Sequence, residues 1–175
     1  PVRLVTELNQ ALLASMRGGE QLGFDGRRDL LRPVVSDVFD LPLVARLTLG
    51  RHGRRLTDEQ WAAFERRFER MVIANYANRF DSFSGQRIDV IGNRQLKDGR
   101  ALVETELVKP NGDTVSLDYI LQRLDANRGW RVVNVVAEGV SELSLRRAEY
   151  ASIITRSGFT ELLARLDAQV AKLGR

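Results

Sequence analysis

A single histidine, His52, is the only side chain of this sequence whose ordinary pKa lies near neutrality. Any Ser-His-Asp or Cys-His arrangement would have to use it. It stands in Arg51-His52-Gly53-Arg54-Arg55, a run expected to form a surface loop among cations, which is a poor setting for a general base. The absence of cysteine removes disulfides, thiolate metal sites and thiol nucleophiles together. No spacing of carboxylates suggests an oxygen-ligated metal site. Neither Gly-x-Gly-x-x-Gly nor a Walker phosphate loop occurs. Gly139, in Ala137-Glu138-Gly139-Val140-Ser141, is expected to mark a strand bulge or bend. No cofactor and no metal are expected.

Paired carboxylates are the remaining catalytic option. Glu104, Glu106 and Asp118 can meet if residues 101–109 and 114–123 pair as a hairpin. The turn Lys109-Pro110-Asn111-Gly112-Asp113 favours that pairing, with Pro110 at the second position of a type I turn and Gly112 free to go left-handed. Such a loop sets Leu107 opposite Val115, Thr105 opposite Leu117 and Val103 opposite Tyr119, and a slip of one residue would mix polar and apolar faces. Glu104, Glu106, Ser116, Asp118 and Gln122 then share the face turned to solvent. Glu104 opposite Asp118 is unfavourable unless a cation intervenes, and Arg131 is a candidate. The inward positions Val103, Thr105, Leu107, Val115, Leu117, Tyr119 and Leu121 offer one hydroxyl, one phenol and no strong base. That inventory points to binding rather than catalysis, and the protein is not expected to be an enzyme.

The elements that would carry these residues follow from periodicity. Leu4, Val5, Leu8, Leu12, Leu13 and Met16 predict a helix over 2–17, ended by Gly18-Gly19. A second helix is expected over 27–38, with a late start or kink at Pro33. Asp40 can cap a short helix through Leu49. Thr57-Asp58-Glu59-Gln60 is a capping box that opens a helix over 58–80, with Trp61, Phe64, Phe68, Met71, Val72, Tyr76 and Phe80 on one stripe. The period then falls to two. Strands are expected near 86–91, 101–109, 114–123 and 130–137, followed by helices near 146–156 and 160–172 on either side of Gly158. A curved antiparallel sheet with one apolar face under amphipathic helices is an α+β fold. At 175 residues, one domain is expected over 1–175.

The charge balance, 27 Lys and Arg against 23 Asp and Glu, favours anionic partners. Arginine far outnumbers lysine, in clusters at 51–55, at Arg66-Arg67 with Arg70, and at Arg146-Arg147. Nucleic-acid binding would need basic and aromatic side chains interleaved on one surface. Here the aromatics lie on buried stripes and no nucleic-acid partner is expected. No apolar run reaches the ~18 residues of a membrane span. The start at Pro1 fits equally a trimmed chain and a mature exported protein.

Several segments, in order, carry a family resemblance. They are Arg46-Leu47-Thr48-Leu49-Gly50, then Leu56-Thr57-Asp58-Glu59-Gln60 leading into Phe64-Glu65-Arg66-Arg67-Phe68, then the Pro110-Asn111-Gly112 hairpin. Gly129-Trp130-Arg131-Val132-Val133-Asn134-Val135-Val136-Ala137-Glu138-Gly139-Val140-Ser141 follows. The last is Tyr150-Ala151-Ser152-Ile153-Ile154-Thr155-Arg156-Ser157-Gly158. Over roughly residues 30–170 the chain resembles the toluene tolerance/MlaC family of periplasmic phospholipid-binding proteins. The Trp-to-Ser segment and the Ser-Gly-Phe turn are its more specific parts. The resemblance implies an NTF2-like sheet whose helices enclose an apolar cavity for a phospholipid. It also implies a periplasmic shuttle between an outer-membrane lipoprotein complex and an inner-membrane ABC transporter complex, and brings no catalytic residue. A monomer is expected, because a carrier must show its mouth to successive partners. Asp81-Ser82-Phe83-Ser84-Gly85 resembles a hopanoid-associated branch of the family.

On that reading the acyl chains meet Val103, Leu107, Val115, Leu117, Tyr119, Val132 and Val136 of the sheet. Val72, Tyr76 and Phe80 of the long helix and Ile154 of the tail complete the lining. The pattern leaves open which of Val132 and Val133 faces inward, and a filled core would use the same residues. The alternative is an NTF2-like isomerase or cyclase acting on an apolar small molecule. It requires an acid or base inside the cavity, and Glu104 or Asp118 found there would supply one.

Overall fold

The computed structural model describes residues 1–124 and 129–174. Its first helical run, α1 (Val2–Val38), is broken at Gly19 (φ 38°, ψ −126°) and Gly23 (φ 63°, ψ 179°). The helix stop expected at Gly18-Gly19 is therefore a break, and the irregularity expected at Pro33 falls at these glycines instead. A buried arginine fastens the break. Arg27 donates from Nη1 to the Gly19 carbonyl at 2.7 Å and from Nε to the Ala77 carbonyl at 2.9 Å, satisfying buried acceptors of two elements at once. Ser15 adds a buried bond to the Phe80 carbonyl at 2.8 Å.

Asp40 caps α2 (Leu41–Leu49), accepting from the Leu43 amide at 3.1 Å. A 3-10 turn over Gly50–Arg55 follows, with His52 half-buried in it. The capping box closes as the sequence predicts: the Thr57 hydroxyl accepts from the Gln60 amide at 3.2 Å and the Gln60 side chain accepts from the Thr57 amide at 2.9 Å. It opens α3 (Asp58–Arg79).

The sheet is an antiparallel meander in chain order: β1 (Arg87–Gln95), β2 (Ala101–Val108), β3 (Thr114–Arg123), β4 (Trp130–Ala137) and β5 (Val140–Ser141). β1 runs past its expected end at 91 because the ladder absorbs a bulge between Val90 and Gly92, where Ile91 turns outward. β2 and β3 pair in the predicted register, Leu107 with Val115, Thr105 with Leu117, Val103 with Tyr119. Glu138 (φ 50°) and Gly139 (φ 77°) make the tight turn from β4 to β5. Helices α4 (Glu142–Ser157) and α5 (Phe159–Leu173) complete an α+β fold. Ser141 caps α4 by accepting from the Ser144 amide at 3.1 Å, so that helix starts four residues before the expected 146.

Helices α1, α2 and α4 pack against the sheet, α3 packs against α1 and α2, and α5 closes over α3 and α4. Phe64 sits at the centre of the helical side, edge-on to Tyr150 at 6.0 Å and 6.3 Å from the Phe159 ring. Arg67 ties α3 to α5 through Asp167 at 2.8 Å. At the sheet, Val103 and Val132 are fully buried, with Leu121 opposite Val132.

β4 corrects one expectation. The β3–β4 ladder shifts at Ile120/Leu121, pairing Leu121 with Val132 but Tyr119 with Val135. This irregularity inverts the inside–outside alternation along β4. Val136 therefore lies opposite Asp118 on the outer face, and Val135 takes the inward place.

Candidate functional site

Between the C-terminal half of α3 and the inner sheet face lies an apolar cavity of about 330 Å3. Tyr76 and Phe80 form its helical wall, their rings stacked with centroids 5.9 Å apart. Leu107 and Val115, beside the β2–β3 turn, line it together with Leu117, Tyr119, Val135 and Ala137. Met16 of α1 also faces the space. Tyr119 is buried at 1% exposure, whereas Leu107, Val115 and Leu117 are only half-buried, so the cavity opens toward the turn. Ser82, Gln86 and Lys109 supply polar groups at its lining.

A second void of about 30 Å3 adjoins the first. Tyr76, Val135 and Glu142 border both spaces, and Val72, Phe39 and Leu41 line the far side. Tyr76 is thus part of the partition between them.

Six of the predicted site residues meet at the main cavity: Tyr76, Phe80, Leu107, Val115, Leu117 and Tyr119. Val72 reaches the second void. Val103 and Val132 belong to the filled core, and Ile154 packs against that core from α4. Sequence reasoning missed Val135, Ala137 and the charged residues Arg79 and Glu142. Glu142 had a visible signal: Ser141 before an acidic residue is a helix start.

The electrostatics distinguish the two sheet faces. Burial pushes the Tyr76 and Tyr119 phenols well above the ordinary range, and the Glu142 charge adds to both shifts. Both therefore stay neutral and offer no base. Glu104 and Asp118 pair on the outer face, where burial and then Glu104 raise the Asp118 carboxyl. Arg94 pulls the Asp118 carboxyl back down, and Arg131, the expected cation, forms an ion pair with Asp37 at 3.5 Å.

Glu142 is the one carboxylate lining the cavity among the described residues. It accepts from Arg79 Nη1 at 2.5 Å, and Arg146 Nη2 lies 3.6 Å from its other oxygen. Among the described residues no group of three or more His, Cys, Asp or Glu could hold a metal, and no helix is long and apolar enough to cross a membrane.

Comparison with known proteins gives a consistent family. The model of the MlaC protein family matches residues 6–168. The toluene tolerance protein ttg2D of Pseudomonas putida is 25% identical over 131 residues, 74% of this chain and 60% of that protein. The intermembrane phospholipid transport system binding protein MlaC of Haemophilus influenzae is 22% identical over 147 residues, 83% of this chain and 69% of that protein. The chain thus spans less than two thirds of the P. putida relative's length. Among solved structures, the phospholipid-binding protein from Ralstonia solanacearum, in complex with a phospholipid, superposes with a TM-score of 0.84 at 22% identity. The match covers 99% of this chain and 98% of that one.

Proposed function

The chain belongs to the MlaC protein family, and we propose that it carries a phospholipid through the periplasm as one lipid-binding domain. On this reading it is a monomeric shuttle between an outer-membrane lipoprotein complex and an inner-membrane ABC transporter complex, and not an enzyme. The observation that carries the reading is the apolar cavity between α3 and the inner sheet face. The H. influenzae relative is named for phospholipid transport and the R. solanacearum structure holds a phospholipid, which supports it further.

The physical logic is one of matched hosts. Each methylene moved out of water gains about 0.8 kcal/mol. A bilayer and a dry protein cavity are nearly equivalent hosts for an acyl chain, so a carrier can both load and unload. The cavity's 330 Å3 lies at the low end of the ~300–1,000 Å3 typical of ligand sites. A two-chain lipid therefore needs α3 and the sheet to part, since the adjoining void adds only about 30 Å3. Leu107, Val115, Leu117 and Tyr119 of the sheet, with Tyr76 and Phe80 of the helix, are the proposed chain contacts. The isomerase or cyclase alternative lacks support, since Glu104 and Asp118 lie on the outer face and Glu142 is engaged by two guanidinium groups.

Native mass spectrometry of the purified protein, followed by organic extraction, tests the proposal. A one-to-one adduct of phospholipid mass is expected, and the extract identifies the lipid. Protein that is empty as purified and takes up no lipid from phosphatidylglycerol vesicles would end the carrier reading.

A further inference from the structure

One cluster at the cavity serves neither the core nor the acyl chains. Arg79 closes the last turn of α3, and Glu142 opens the first turn of α4. Each charge suits its helix end, because the helix dipole favours cations at a C-terminus and anions at an N-terminus. Their bond therefore joins two helices across the edge of the cavity. Arg146, one turn further along α4, approaches the same carboxylate. It is anchored independently, with its guanidinium over the Phe68 ring at 5.9 Å and Nη1 on the Met71 sulfur at 2.9 Å.

Two cations against one anion leave a positive charge over at the rim of an apolar space. Lys109 lines the same cavity and makes no ion pair among the described residues, so the excess grows. The two arginines differ in freedom. The Arg146 side chain is 16% exposed and fixed by its contacts, whereas that of Arg79 is 59% exposed and held by Glu142 alone among its ion-pair partners. Arg79 can leave Glu142 without stranding the carboxylate, which keeps Arg146 and the α4 dipole.

Resting on the carrier reading, we infer that Arg79 is the receptor for the phosphodiester of the lipid headgroup, with Glu142 holding that guanidinium at the mouth until the phosphate displaces it. A guanidinium matches two phosphate oxygens as it matches two carboxylate oxygens, so the exchange preserves the bonding geometry. The phosphate stays at the wet edge of the site and needs no burial, while the chains run inward past Phe80 and Leu117. Lys109 adds attraction from the sheet side.

The test compares two lipids with the same acyl chains, phosphatidylglycerol and diacylglycerol, each offered to lipid-free protein from the same non-ionic micelles. Occupancy is read by native mass spectrometry. The wild type should prefer phosphatidylglycerol about tenfold, the scale of one partly exposed charged hydrogen bond. Arg79→Gln should lose that preference, the uptake of the two lipids becoming about equal. Glu142→Gln should keep or increase it, because the competitor for Arg79 is gone. Undiminished preference in Arg79→Gln overturns the inference while leaving the carrier reading intact. A Glu142→Gln variant that loses the preference as Arg79→Gln does also overturns it, since the pair would then merely hold the mouth in shape. Saturable binding of inorganic phosphate, abolished by Arg79→Gln, would reassign the site to a free oxyanion. Uptake of neither lipid by the wild type defeats the carrier reading itself, and the headgroup site with it.

Discussion

The two halves of α3 carry the same kind of stripe and do opposite things with it. In the first half, Trp61, Phe64 and Phe68 lie against other helices, and Phe64 and Phe68 are 0% and 1% exposed. Phe64 meets the Phe68, Tyr150 and Phe159 rings, and Arg67 clamps α5 down through Asp167. In the second half, Tyr76 and Phe80 stack on each other and look across open space to Leu117 and Tyr119. Aromatic content and period are alike in both. What differs is the opposing surface: helices close on α3 until their side chains interlock, while the sheet stands off it across the cavity.

The largest expected effect tests whether the first half is truly filled. Phe64→Ala should cost ~3–5 kcal/mol in urea unfolding, as large buried aromatics do. Tyr76→Ala should cost less than half as much, because Tyr76 already borders two voids and loses fewer contacts. Equal losses would erase the distinction. A smaller stability effect with a larger functional one is expected at the sheet. Leu117→Glu places a charge on a half-buried position of the cavity wall, costing about 1–2 kcal/mol while bringing lipid retention to background in native mass spectrometry. A folded variant with unchanged lipid content would remove Leu117 from the site.

The parts of this architecture that were legible in the sequence rest on short-range signals. Thr57 and Gln60 are three residues apart and reciprocate whatever surrounds them, so the start of α3 was readable. The length of the 109–113 loop fixed the register of β2 against β3, and through it the face of Leu107, Val115, Leu117 and Tyr119. For the β3–β4 pair the residue pattern predicts no register, and the shift at Ile120/Leu121 has no residue-type signature. That is why Val136 was expected inward and Val135 was missed. Val103 was given the correct face and Val132 was left open against Val133, yet both belong to the filled core, where the chain at Phe39 bridges to Val132. Periodicity reports a face and not whether the space above it is empty. Glu142 escaped notice because the expected start of α4 fell four residues late, leaving it outside any element.

The smallest effect concerns the face of the sheet turned away from the cavity, and its sign is the informative part. Glu104 stands opposite Asp118, and burial and then that neighbour raise the Asp118 pKa from its ordinary 3.8, against the pull of the Thr105 amide and Arg94. A raised carboxyl pKa means that folding disfavours the ionised form. The penalty is fully present above the folded pKa, fades as pH falls through it, and is gone below 3.8, where the folded and unfolded carboxyls are both protonated. Asp118→Asn should therefore stabilise the protein at neutral pH by ~0.2–1 kcal/mol, the scale of an exposed like-charge cross-strand pair. The gain should shrink on acidification, as measured by urea unfolding across the acidic range. Lipid occupancy should not change, because neither residue lines the cavity. Destabilisation at neutral pH would mean that the attraction of Arg94 outweighs the repulsion of Glu104. Altered lipid occupancy would mean that the two faces of the sheet are coupled, and the contrast between a packed, a hollow and a solvated surface would have to be redrawn around that coupling.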